Sequence, residues 1–185
     1  MRIMILSDMR YYKYINELYL KNKREKYDYC IKNGIDVNSI DLDKGYDLKY
    51  FESYVNDNNK GIIVGDLPEL YGYIFFKIES IDEKKYMVIT EFEVNKKFKN
   101  MLIGTTLIET LLSYADNSVG WKSDYLKINV SIFNDEMIKF LENLDFVINK
   151  DNNNEYEMIK EVNSEGLEKI HSLYKSYYDR RDNNK

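Results

Sequence analysis

Apolar residues recur at helical intervals over the first part of the chain. RIMIL (2–6) is a short apolar run that reads as a strand. Ser7 or Asp8 offers a cap, and Met9, Tyr12, Ile15 and Tyr19 open a helix whose pattern runs through charged positions to Ile31. Asn33-Gly34 is its stop signal. Residues 35–46 read as a loop. Leu48, Phe51 and Val55 predict a second, short helix, closed by Asn58, Asn59 and Gly61. The period then changes. GIIVGD (61–66), LYGYIFFKI (70–78) and Tyr86 to Val94 read as three strands, with Pro68 in the first turn. On the third, Val88, Thr90, Phe92 and Val94 share one face, and Met87, Ile89, Glu91 and Glu93 the other. From Leu102 the helical period returns. Ile103, Leu107 and Leu111 form one ridge beside Ile108, Leu112 and Ala115. Leu126, Ile128, Val130 and Ile132 alternate as a strand, and Asn134 or Asp135 caps a helix running to about Leu144. Residues 146–148 and 156–159 predict a last pair of strands around DNNN. Ser164 caps a C-terminal helix with Leu167, Ile170, Tyr174 and Tyr177 on one side.

A three-strand meander followed by strand–helix–strand predicts an α/β or α+β fold with a mixed sheet. Neither a repeat nor a linker divides the chain. Its 185 residues fit one domain that can bury a core without staples. Charge adds that nucleic acid is an unfavourable partner, because the net charge is −5 and no dense basic run occurs. The single cysteine, Cys30, excludes an internal disulfide, and the single histidine, His171, leaves no zinc cluster of the usual kind. No segment approaches a membrane span, and IMIL is too short for a signal peptide, so a cytoplasmic protein is expected. The 18 tyrosines accompany abundant Lys, Asn, Ile and Asp, residues with A/T-rich codons, so most are expected to be packing residues.

The segment with chemical content is YMVITEFEVNKKFKNMLIGTTLIETLL (86–112). A strand leads through a basic turn carrying Gly104 into an amphipathic helix. The unpaired N–H groups of such a helix start favour an anion, phosphate above all. Glu91 and Glu93 lie on one strand face, where burial would raise a carboxyl pKa toward that of a working base; the alternative is two solvated charges.

This order of elements, with the 86–112 segment, resembles the GNAT superfamily of acetyl-CoA-dependent N-acetyltransferases. The likeness extends over about residues 66–160, through LYGYIFF, EFEVNKKFKN, LIGTTLIETLLSYA and LKINVSIFNDEMIKFLENLDF. The family's pyrophosphate loop, Q/R-x-x-G-x-G/A, aligns with Lys99, Asn100, Met101, Leu102, Ile103 and Gly104, followed by Thr105. The resemblance implies a mostly antiparallel sheet flanked by helices and splayed after strand four. It implies a GNAT-like domain over 1–162 with a helical extension over 163–185. On that extension Tyr174 and Tyr177 read first as helix-face packing, with a homodimer contact as the alternative. It implies acetyl-CoA as co-substrate and no metal. The backbone amides of Leu102 to Thr105 would meet the pyrophosphate, with Lys99 as a point charge. The main chain of Phe92, Glu93 and Val94 would pair with the pantetheine arm, and Asn134 would stand near the cofactor. An acceptor amine, on a small molecule or a peptide, would attack the thioester directly, with Glu91 or Glu93 removing its proton. Three positions depart from the pattern: Leu102 and Asp145 stand where the family has glycines, and Leu141 where a tyrosine often serves as general acid. A weak or inactive acyl-CoA-binding module is therefore the alternative function.

Overall fold

The computed structural model describes residues 2–32, 34, 37, 41–56, 59–118, 120–168, 171, 172, 174 and 175. They form β1 (Arg2–Ile5), α1 (Tyr12–Lys32), α2 (Leu48–Asn56), β2 (Lys60–Asp66), β3 (Glu69–Ile81), β4 (Lys84–Val94), α3 (Ile103–Asn117), β5 (Tyr125–Ser131), α4 (Asp135–Glu142), β6 (Val147–Asp151) and β7 (Glu155–Glu161). Residues 164–168 are again helical. Asn33, Asn58, Ile170 and Tyr177, all assigned to helices or helix ends from the sequence, lie outside the described residues.

The strands hydrogen-bond in the order β1-β2-β3-β4-β5-β7-β6. β1 with β2, β5 with β7 and β6 with β7 are antiparallel, while β4 and β5 run parallel. The β4–β5 ladder runs from Tyr86↔Tyr125 to Ile89↔Ile128 and stops there, although β4 continues to Val94 and β5 to Ser131. This is the splay that the sequence predicts after strand four, in a mixed, mostly antiparallel sheet flanked by helices.

The chain divides into two compact units, residues 1–75 with 91–104, and residues 76–90 with 105–185. In the first, α1 and α2 lay their apolar faces on a core of Leu6, Ile15, Leu18, Phe51, Tyr54, Ile63, Leu70, Tyr73 and Phe75. Asp8 caps a 3-10 turn (Met9–Tyr11) by accepting the Arg10 N–H at 2.7 Å, so α1 starts at Tyr12 rather than at Met9. Gly34, at φ 70°, closes the far end, its N–H donating to Ile31 O at 3.1 Å. In the second unit, Leu107, Ile108, Leu111, Leu112 and Ala115 of α3 are fully buried, and Leu126, Ile128 and Val130 of β5 nearly so. Both predicted ridges of α3 therefore face the core.

The β3–β4 hairpin is longer than its apolar pattern predicts. Asp82 (φ 49°) and Glu83 (φ 65°) form a two-residue turn with both φ positive, the arrangement whose twist suits a hairpin. Asp-Glu lacks the Asn-Gly signature of such a turn, so polar residues extend both strands unannounced.

Candidate active site

One face of β4 carries Glu93 onto α1 and Glu91 onto α2. Glu93 is 6% exposed, which for a carboxylate demands strong partners. It has two. Lys26 Nζ donates to Oε1 at 2.5 Å, and Asn22 Nδ2 donates to Oε2 at 2.6 Å. Asn22 Nδ2 also donates to Val94 O at 3.1 Å, which ties the helix to the strand's main chain. Leu18, Tyr19, Asn22 and Lys26 fall at helical spacing, so one stripe of α1 turns from apolar to polar as it passes the end of β4.

Glu91 sits among tyrosines. The Tyr50 hydroxyl donates to Glu91 Oε1 at 3.3 Å and contacts Tyr54 Oη at 3.1 Å, while the Tyr46 and Tyr73 hydroxyls are 2.8 Å apart. Tyr46 is stacked between Tyr19 (ring centroids 4.1 Å apart) and Tyr50 (5.6 Å). Its backbone is pinned by α1: Asn16 Oδ1 accepts the Tyr46 N–H and the Tyr12 hydroxyl donates to its carbonyl, each at 2.8 Å. Gly45 makes that approach feasible, because a Cβ there would lie 2.1 Å from Asn16 Oδ1. Asp47 Oδ1 then accepts the N–H groups of Lys49 and Tyr50, which starts α2 and aims Tyr50.

These surroundings shift the titrating groups. Burial pushes the Glu91 carboxyl above its ordinary pKa; hydrogen bonds from Tyr46 and Tyr50 oppose the rise, and the neighbouring Glu93 charge adds to it. Burial likewise pushes the Tyr19, Tyr46 and Tyr73 hydroxyls up, reinforced by the charges of Glu91 and Glu93. The result is a carboxylate made more basic among hydroxyls that stay protonated at neutral pH.

The turn after β4 is anchored at one side. Asn95 caps a 3-10 turn (Lys96–Phe98), donates from its side chain to Leu70 O at 3.1 Å, and donates its N–H to Tyr71 O at 2.8 Å. The Phe98 ring packs on Tyr71 with centroids 4.2 Å apart, and Lys97 pairs with Glu69 at 2.7 Å. The chain then passes through exposed Lys99, exposed Asn100 (φ 66°) and half-buried Leu102 (φ 60°) before α3 begins at Ile103. Ile103 and Thr105 are buried, and Gly104 lies between them in the first turn, where main-chain N–H groups have no partner within the helix.

In the second unit, Asn134 Oδ1 accepts the Met137 N–H at 3.2 Å and caps α4. Leu141 is fully buried, and Asp145 holds φ 63°.

Comparison with known proteins identifies the family of the chain. The family model described as acetyltransferase (GNAT) family matches residues 20–146, most of the chain. The chain belongs to the GNAT acetyltransferase family. A search of curated protein sequences returned no match. Among solved structures, it is similar to a GNAT-family acetyltransferase from Staphylococcus aureus (14% identity, TM-score 0.63, covering 88% of this chain and 100% of that one). It is similar also to the PaiA N-acetyltransferase of Thermoplasma acidophilum solved with coenzyme A (17%, 0.60, 87% and 99%). A third is Arabidopsis thaliana NAA60 in complex with a bisubstrate analogue (15%, 0.56, 88% and 99%). At such identities the likeness is one of fold.

Within the GNAT frame, the departures at Leu102 and Asp145 have a common form. Both residues stand at glycine positions of the family pattern, and both adopt the left-handed backbone that glycine favours. The side chains that grip Glu93 and Glu91 (Asn22, Lys26, Tyr46 and Tyr50) were not singled out from the sequence. The signal was present for two of them, since Tyr19, Asn22 and Lys26 lie on one helical stripe. Tyr46 and Tyr50 gave none beyond their abundance. Tyr174 donates its hydroxyl to Thr106 Oγ1 at 2.7 Å within the chain. His171 Nε2 lies 2.8 Å from Glu109 Oε1, also on α3. No described helix is long and apolar enough to cross a membrane.

Proposed function

We propose that the chain is an N-acetyltransferase that moves the acetyl group of acetyl-CoA to a primary amine on a small molecule or peptide. The observation that carries this reading is Glu91: a β4 carboxylate made more basic by burial, held by tyrosine hydroxyls, in a chain of the GNAT family. Acetyl transfer needs a neutral amine, and a carboxylate with a raised pKa is a better base for that proton than an exposed glutamate. The nitrogen attacks the thioester carbonyl, its proton passes to Glu91, and the C–S bond breaks to release coenzyme A. A β4 amide, that of Val94, meets the oxyanion. Glu93, already paired with Lys26, keeps the local charge in place. A tyrosine hydroxyl beside Glu91 is the natural donor to the departing thiolate, since the usual α4 position holds Leu141.

For the co-substrate, the proposal assigns the pyrophosphate to the amides of Leu102, Ile103, Gly104 and Thr105, with Lys99 and Asn100 alongside, and the pantetheine to the main chain of Phe92 and Val94. Asn134 enters through the family resemblance. A fit to an anion is supported by the first-turn main-chain N–H groups of α3 and by the basic run Lys96, Lys97 and Lys99 before it. The solved relatives named for coenzyme A and for a bisubstrate analogue accord with this.

The second reading is an acyl-CoA-binding module without turnover, favoured by Leu141, a buried aliphatic side chain where the family often has a tyrosine. Calorimetry with acetyl-CoA separates the outcomes. The enzyme reading predicts one-to-one binding; absence of heat at high micromolar ligand rejects both readings. Binding with no thiol release across a panel of amines selects the second.

A further inference from the structure

A cavity of about 460 Å³ opens in the second unit, where the start of β6, the end of β7 and residues 163–166 meet. Small-molecule sites run from about 300 to about 1,000 Å³, so the space suits a compact ligand. Among the described residues that line it, the buried charge is Lys160, whose side chain is 5% exposed. Its ammonium end lies beside two other lining residues. Nζ is 3.8 Å from Asp145 Oδ2, and a Cβ on Gly166 would lie 3.1 Å from both Cε and Nζ. Gly166 thus makes room for the charged end. Asp145 stands at a glycine position of the family pattern, so this ion pair arises from a departure of this chain. An ammonium takes up to three acceptors, and a second carboxylate can join Asp145 at Nζ. Little water screens a charge so buried, which strengthens its attraction for an anion. Asn163 Oδ1 accepts the Gly166 N–H at 2.9 Å, so Nδ2 is the half of that amide available as a donor.

Away from the ammonium the lining changes character. Val147 and Ile159, paired across the β6–β7 ladder, offer apolar surface, and Val147 is 59% exposed. Glu161 and Glu165 add exposed carboxylates. With Asp145 they set three negative charges against the one of Lys160, a balance that disfavours a simple anion. A simple cation would leave the buried ammonium unused. Among the described residues no carboxylates converge as a metal-ligand set. A free α-amino acid answers every part of the lining: a carboxylate for Lys160, an ammonium for the glutamates, and an apolar side chain for Val147 and Ile159.

We propose that this cavity binds a free α-amino acid with an apolar side chain, its carboxylate on Lys160 and its ammonium on Glu161 and Glu165. The acetyltransferase reading above uses none of these residues, so the two stand or fall separately.

The test is calorimetry on the full chain with three probes: L-leucine, isopentylammonium chloride and sodium isocaproate. The last two are leucine without its carboxylate and leucine without its ammonium. Leucine should bind about tenfold or more tightly than either. Lys160→Met should reduce leucine to the level of isopentylammonium. Glu161→Gln combined with Glu165→Gln should reduce it to the level of isocaproate. Both glutamates are exposed, so the paired variant decides the matter where Lys160→Met fails to fold. Gly166→Ala sets a Cβ against the Lys160 ammonium and should weaken leucine by about threefold or more, with isopentylammonium unchanged. Leucine binding no tighter than its two fragments overturns the proposal, and so does an unchanged preference in either charge variant. Acetyl-CoA binding, measured on the same samples, reports on the other reading: its absence with leucine bound rejects the acetyltransferase and leaves this site standing.

Discussion

Lys26 Nζ lies 2.5 Å from Glu93 Oε1, a pair whose acidic end is buried and whose basic end is exposed. The arrangement holds α1 on β4 and neutralises the carboxylate nearest the strand's end. Removing Lys26 would leave a buried carboxylate with Asn22 as its one side-chain partner among the described residues. Lys26→Met should lower stability by about 1–3 kcal/mol in urea denaturation. Adding Glu93→Gln should recover most of that loss. Additive losses in the double variant would show that the two side chains do not act as a pair.

Glu91 gives a prediction with a sign. Its pKa is raised in the folded protein, so the native state holds a proton that the unfolded chain has already released. Ionising this group on raising the pH therefore costs stability between the ordinary glutamate pKa and the raised one. Wild type and Glu91→Gln should differ little in stability at low pH, and the wild type should fall behind as the pH rises through that window. Activity runs the other way. kcat/KM should rise as Glu91 loses its proton, and Glu91→Gln should lose both that limb and about 10²-fold or more in rate. Unchanged turnover in Glu91→Gln would remove it from the mechanism.

Leu102 holds φ 60° in the turn before α3. A left-handed conformation costs an ordinary L-residue about 1–2 kcal/mol, offset in part by the extra unfolded-state freedom that glycine brings. Leu102→Gly should therefore leave stability unchanged or raise it by up to about 1 kcal/mol, and should tighten coenzyme A binding measured by calorimetry. Leu102→Val, β-branched at the same φ, should destabilise by about 1–3 kcal/mol. Stability in the order Val above Gly would show that the turn is not strained. Asp145, also left-handed, should gain less from glycine because aspartate tolerates that region better.

The helical residues past β7 are tied to α3 by Tyr174 and His171. Tyr174→Phe should cost about 0.5–1.5 kcal/mol in thermal or urea melts without changing acetyl-CoA affinity. An unchanged melt would mean that the hydroxyl contributes nothing to holding the extension.

These relationships mark where the sequence was legible. The ridges of α3 and the alternation of β5 could be read directly, because burial on one face imposes a period. The start of α3 was readable from the return of the helical period after the basic turn. That Leu102 and Asp145 would keep a glycine's backbone was not, since neither side chain advertises a positive φ. The partners of Glu93 were hidden for another reason: Asn22 and Glu93 are 71 positions apart, and such pairs leave no local pattern. Likewise, Tyr46 and Tyr50 could be distinguished from the other tyrosines only once α1 and α2 had brought their hydroxyls to Glu91.

The central claim is transfer of acetyl from acetyl-CoA to an amine. Its most direct measurement is release of coenzyme A thiol from acetyl-CoA with a panel of primary amines, each product checked by mass. The account predicts amine-dependent thiol release, with a mass gain of one acetyl group on the acceptor. Binding of acetyl-CoA with no release above the amine-free rate, for any member of the panel, would contradict it.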